Sequence, residues 1–101
     1  MTLTPEEIDA RLASSPGWKR EDEKWIAKRY RFPTYLDGIE FVRRVAAEAE
    51  RLDHHPFISI EYKLVTLRLT SWHAGGLTAL DFEAAEAFDR VGEPPTARST
   101  S

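Results

Sequence analysis

Phe57-Ile58-Ser59-Ile60-Glu61-Tyr62-Lys63-Leu64-Val65-Thr66-Leu67-Arg68-Leu69-Thr70-Ser71 decides the fold, because its apolar side chains alternate and then change phase. Ile58, Ile60 and Tyr62 fall at even positions, whereas Val65, Leu67 and Leu69 fall at odd ones. A period of two marks a strand, and within one strand a slip of one residue would turn the side chains to the other sheet face. A tight turn or bulge therefore belongs near Lys63-Leu64, between antiparallel strands over about 57–62 and 64–71. The usual Asn-Gly or Asp-Gly turn signal is absent.

Upstream of this hairpin, Leu36, Ile39, Val42, Val45 or Ala46, Ala49 and Leu52 recur at helical spacing, which predicts a helix of about 18 residues with Thr34 as N-cap. Gly38 weakens its first turn slightly, and Phe41 lies off the stripe as a partly covered ring or a subunit contact. Arg43, Arg44, Glu48 and Arg51 read as a solvated face. Before the helix come two strands, Trp18-Lys19-Arg20 and Lys24 to Phe32, joined through Glu21-Asp22-Glu23. Trp18 and Trp25 read as core or interface rings, the ordinary fate of large aromatics in a small sheet. The first helix opens at Thr4-Pro5-Glu6-Glu7, where Thr4 caps, Pro5 takes the first helical position and Glu7 closes a capping box; it should end near Ala13.

Downstream, Thr78 caps a last helix with Asp81 at its third position and Phe82, Ala85, Phe88 and Val91 facing inward. From Gly92 onward Pro, Ser, Thr and Ala dominate. The expected organisation is one domain over 1–92 and a disordered tail over 93–101. The element order is α-β-β-α-β-β-α. Amphipathic helices with short alternating strands call for an α+β domain whose helices cover one face of an antiparallel sheet. An uncovered edge strand in such a sheet makes self-association plausible.

The composition excludes several classes of function. The chain has 101 residues, 31% charged and 42% hydrophobic, with 14 Lys and Arg against 17 Asp and Glu and a net charge of −3. No basic excess advertises direct nucleic-acid binding. Without cysteine there is neither a disulfide framework nor a thiol nucleophile. The first residues lack a secretory pattern and no apolar run is long enough to span a bilayer, so a cytoplasmic protein with no membrane partner is expected.

The residues able to do chemistry concentrate between Glu50 and Asp81. All three histidines lie there, as His54-His55 before Pro56 and as His73 after Trp72. Imidazoles beside carboxylates and aromatics suit proton transfer on a small flat ligand. The same pair also fits a polar helix end stopped by Pro56. Glu50 and His54, four apart on a helix, would share a face and could hydrogen-bond. A metal site is not expected, because adjacent histidines on a helix point about 100° apart and no cysteine is available. Asp81 in a first helical turn can equally be a plain cap. Ala74-Gly75-Gly76 is too short for a phosphate cradle and lacks its Lys-Ser or Lys-Thr.

Taken together, the order Glu50, three residues, His54-His55-Pro56, five residues, Tyr62, nine residues, Trp72, eight residues, Asp81 resembles the signature of the pterin-4a-carbinolamine dehydratases. Leu69-Thr70-Ser71-Trp72-His73-Ala74-Gly75-Gly76-Leu77-Thr78 is similar to that family's Gly-Gly-Leu-Thr segment. Aligned by Leu77, Trp72 occupies the place most members give to a third catalytic His, and His73 falls one residue late.

The resemblance implies three helices on one side of a four-stranded antiparallel sheet, assembled as homodimers or homotetramers. It implies a hydro-lyase that removes water from 4a-hydroxytetrahydropterin to give quinonoid dihydropterin, recycling a tetrahydrobiopterin-type cofactor. The pterin is the substrate, and no further cofactor or metal is implied. By resemblance His54 is the main general acid/base, His55 holds or polarises the pterin, and Asp81 orients a catalytic or ligand group. Glu50 tunes the site, Pro56 shapes the turn that presents the pair, and Tyr62 packs beneath it. Trp72 can donate a hydrogen bond and stack but cannot exchange a proton near neutral pH. On a continuing strand His73 would point to the other face and be a bystander. The alternative function is a non-catalytic pterin-binding or protein-assembly module on the same fold, with a protein partner.

Overall fold

A computed structural model describes residues 1–92; the tail expected over 93–101 lies outside the described residues. Its elements are α1 (Pro5–Ala13), β1 (Lys19–Arg20), β2 (Ile26–Arg31), α2 (Tyr35–Leu52), β3 (Phe57–Glu61), β4 (Leu64–Leu69), a 3-10 turn (Trp72–Ala74) and α3 (Ala79–Val91). The four strands form one antiparallel sheet in the order β1-β2-β4-β3, so β3 is an edge strand beside the central β4.

The phase change in the hairpin is resolved by a two-residue turn. Glu61 pairs with Leu64, and the register continues as Ile60 with Val65 and Ile58 with Leu67. Even positions of β3 and odd positions of β4 thus share the covered face. Tyr62 belongs to the turn rather than to the strand, at φ 54°. That left-handed conformation is one usually left to Gly, Asn or Asp, which is why the turn carried no sequence signal.

Helix starts follow their local chemistry. Thr4 and Glu7 form a reciprocal capping box, as do Thr78 and Asp81, and Pro5 opens α1. Thr34 Oγ1 accepts the Asp37 N–H at 3.1 Å. Thr34→Ala is expected to lower stability by about 1 kcal/mol, seen as a lower urea midpoint with an unchanged slope and unaltered ligand binding.

The buried stripe of α2 is rotated from the predicted one. Gly38, Phe41, Val45 and Ala49 face the sheet, whereas Leu36 is 73% exposed. Phe41 lies in the core, with its ring 4.6 Å from Tyr30 and 5.1 Å from Phe32. A Cβ at Gly38 would meet Val65 at 3.4 Å and Phe32 at 3.5 Å, ordinary contact distances, so this turn of the helix lies directly on the sheet. Ile26, Val65, Leu67 and Leu69 from the sheet and Phe82, Ala85 and Phe88 from α3 complete this single core. Arg43, Arg44 and Arg51 form ion pairs with Glu40 and Glu48 on the outer surface of α2.

One polar cluster is built into this packing. Asp89 near the end of α3 accepts hydrogen bonds from Tyr30 Oη at 2.6 Å, Lys28 Nζ at 2.9 Å and Trp18 Nε1 at 3.2 Å. Burial, with the Asp89 carboxylate beside it, pushes the Tyr30 hydroxyl well above the usual phenol range, so it remains a donor. Lys28, which interrupts the apolar face of β2, is thereby paired with a residue 61 positions away in sequence.

Candidate functional site

The end of α2 sets the site. Asp53 adopts a left-handed conformation at φ 52° and ψ 45°. Its N–H reaches the Glu50 carbonyl at 3.2 Å, and the His54 N–H reaches the Ala49 carbonyl at 3.0 Å. This pair of bonds is a Schellman closure, which ends the helix and turns the following residues across its axis. His54 and His55 therefore lie beyond the helix, and the 100° argument for their divergence does not apply to them.

The reversal also changes their partners. The expected Glu50–His54 pair is not formed: Glu50 Oε2 lies 2.5 Å from His55 Nε2, while His54 Nε2 lies 2.6 Å from Asp81 Oδ1. Reversing the chain at Asp53 carries His54 towards α3 and leaves His55 above the last turn of α2. The two pairs differ in environment. Asp81 is fully buried and His54 is 12% exposed, whereas His55 and Glu50 are 56% and 78% exposed.

Asp81 combines the capping and site roles that the sequence left as alternatives. Its Oδ2 accepts the Thr78 N–H at 2.9 Å and the Ser71 hydroxyl at 2.7 Å, leaving Oδ1 for His54. With Nε2 of His54 facing the carboxylate, Nδ1 is the ring nitrogen left to exchange a proton. A buried carboxylate so placed fixes the ring and stabilises the charge that appears when Nδ1 is protonated.

Both histidines line a cavity of about 520 Å³, together with Pro56, Phe57, Trp72 and His73 among others, while Asp81 and Glu50 are not part of its lining. Strand β4 ends at Leu69, two residues earlier than predicted, and Ser71 bridges to Gly76. Trp72-His73-Ala74 then forms a 3-10 turn closed by Gly75 at φ 78°. Off a strand, neighbouring side chains need not alternate, so His73 lines the same cavity as Trp72 rather than the opposite face. Tyr62 is not beneath the histidines. It occupies the hairpin turn at the far end of β3, 68% exposed and 6.4 Å from the Tyr35 ring.

Sequence reasoning missed Phe57 and Trp25. Phe57 lines the cavity, and Trp25 packs against both Phe57 and Trp72 instead of entering the core as Trp18 does. Phe57 directly follows His54-His55-Pro56, which was the available signal for it, whereas Trp25 is joined to the cavity only by the strand order. Among the described residues, no three His, Cys, Asp or Glu side chains gather as a metal-holding group. Among the same residues, no helix is long and apolar enough to cross a membrane.

A four-stranded antiparallel sheet with three helices, and a carboxylate-oriented imidazole lining a cavity of about 520 Å³, define an α+β domain with a candidate small-ligand site. Residues 1–91 match the family described as pterin 4 alpha carbinolamine dehydratase, and the chain belongs to that family. A relative from Picosynechococcus sp. is 44% identical over 89 residues, covering 88% of this chain and 96% of its own. One from Mycolicibacterium smegmatis is 44% identical over 89 residues, covering 88% and 94%. Both carry provisional assignments as pterin-4-alpha-carbinolamine dehydratases. A crystal structure of a transcriptional coactivator/pterin dehydratase from Brucella melitensis superimposes with a TM-score of 0.87 at 26% identity, covering 92% of this chain and all of that one. A pterin dehydratase-like RuBisCO assembly factor shares the fold at a TM-score of 0.64 and 22% identity, over 75% of this chain and 89% of its own.

Proposed function

We propose that the protein is a 4a-hydroxytetrahydropterin dehydratase, converting the carbinolamine to quinonoid dihydropterin and water. The observation that carries this reading is His54, which lines the cavity together with His55 and His73 and is held at 2.6 Å by the fully buried Asp81 carboxylate behind it. The elimination needs one proton delivered to the departing 4a-hydroxyl and one removed from a ring nitrogen. His54, oriented through Nε2, exchanges protons at Nδ1. His55, set by Glu50 at the exposed rim, holds or polarises the heterocycle. Asp81 acts through His54 as a positioning residue. Pro56 and Trp72 supply apolar contact. Capping α3 requires Asp81 alone, and a scaffold has no physical need for Glu50, His54, His55 and Asp81 together, which favours catalysis over a binding or assembly module.

The reading places the enzyme in the cytoplasm and as a homodimer or homotetramer, for which the free edge of β3 offers backbone donors and acceptors. The test is the dehydration rate of freshly generated 4a-hydroxytetrahydropterin, followed by absorbance. Native protein is expected to accelerate it well above the buffer rate. Well-folded protein that leaves the rate unchanged would overturn the catalytic reading and direct attention to a protein partner.

A further inference from the structure

Three aromatic rings close one wall of the cavity. Trp72 and Phe57 line it and are 67% and 47% exposed, high values for rings of their size. Trp25 stands behind them. Its ring meets Trp72 edge-on, with centroids 5.4 Å apart and planes at 85°, and meets Phe57 at 5.0 Å and 60°. Phe57 and Trp72 are themselves 6.0 Å apart, so each ring touches the other two in the tilted or edge-to-face arrangements that aromatic quadrupoles favour.

Trp25 is in turn held from several sides. The Arg68 guanidinium lies 4.8 Å above its ring. Two 2.7 Å bonds clamp Arg68 to Glu21, whose own N–H donates to the Trp25 carbonyl at 2.9 Å. The adjoining Lys24 carbonyl accepts the Thr70 hydroxyl at 2.5 Å. By contrast, Trp72 sits on a three-residue turn, none of whose residues is buried. Without a brace, an exposed ring there would have to be ordered each time a ligand bound, at a cost in affinity.

We propose that Trp25 is a positioning residue for ligand binding: it fixes Trp72 and Phe57 as an aromatic wall against which a planar bicyclic nitrogen heterocycle stacks. The proposal rests on reading the cavity as the pterin site. The wall contacts the ring system and not the departing hydroxyl, so it holds the ground state and the transition state alike. Its loss raises KM and leaves kcat nearly unchanged.

The test compares Trp25→Leu, Trp25→Phe and Arg68→Met with native protein, measuring kcat, KM and, by titration calorimetry, the Kd of 7,8-dihydrobiopterin. Trp25→Leu is expected to raise KM and Kd about two- to tenfold with kcat within about twofold. Trp25→Phe restores most of the affinity. Arg68→Met, which alters no side chain lining this cavity, raises both constants in the same direction by less and carries the test if Trp25→Leu does not fold. Unchanged KM and Kd in these variants would overturn the proposal, as would a fall in kcat at constant KM. If native protein binds dihydrobiopterin without turning over the carbinolamine, the dehydratase reading falls while the Kd series still decides the role of Trp25. If it binds no pterin, both fall.

Discussion

His54→Ala is expected to lower kcat by about a hundred- to ten-thousandfold, the usual contribution of a positioned acid/base group, with little change in KM. The asymmetry between the two imidazoles supports singling out His54. Its ring is mostly buried and oriented by a carboxylate that two further donors hold in place. The His55–Glu50 pair is largely in water, where such contacts hold geometry weakly. His55→Ala should therefore act more on KM than on kcat. Asp81→Asn should lower kcat by less than His54→Ala, since the amide can still cap α3 but cannot stabilise the imidazolium. Rapid-mixing absorbance on freshly generated substrate, with circular dichroism to verify folding, separates these outcomes. A His54→Ala variant retaining more than about a tenth of native kcat would remove His54 from the acid/base role.

Much of this arrangement was legible because it is local. Caps at Thr4, Thr34 and Thr78, the period of two in β3 and β4, and the phase change at the hairpin each depend on residues a few positions apart. The pairing of carboxylates with histidines was not legible, for a definite reason. A Glu50–His54 contact presumes that α2 continues through His54, yet Asp53 adopts a left-handed conformation for which Gly or Asn is the usual signal. One backbone residue thus moves His54 from Glu50 to Asp81 and leaves Glu50 to His55. His73 was misplaced by similar logic, since strand alternation was extended two residues past the point where Ser71 bridges Gly76. Trp25 was out of reach of local reasoning altogether. Its neighbours Phe57, Arg68 and Trp72 come from other parts of the chain and meet it only because β4 lies between β2 and β3.

Asp89→Ala is expected to produce the largest loss of stability among single surface-reaching substitutions, about 2–3 kcal/mol, or roughly 10–20 °C in Tm. It removes at one stroke the acceptor for Tyr30, Lys28 and Trp18, and leaves Lys28, only 20% exposed, without its counter-charge. The estimate lies below the cost of breaking a fully buried pair, because water reaches part of both side chains. Arg43→Ala, which breaks an exposed pair on α2, should do far less. The same cluster gives stability a pH signature. Below pH 10.0, the ordinary value for the phenol, Tyr30 is protonated in folded and unfolded chains alike and its bond to Asp89 contributes fully. Above that pH the unfolded chain releases the proton while the buried hydroxyl keeps it, so the unfolded state binds fewer protons and stability falls as pH rises. Tyr30→Phe should flatten this alkaline slope while costing stability at neutral pH. Urea titrations of native, Asp89→Ala and Tyr30→Phe proteins between pH 7 and 11 measure both effects, and an alkaline slope unchanged in Tyr30→Phe would overturn its assignment to Tyr30.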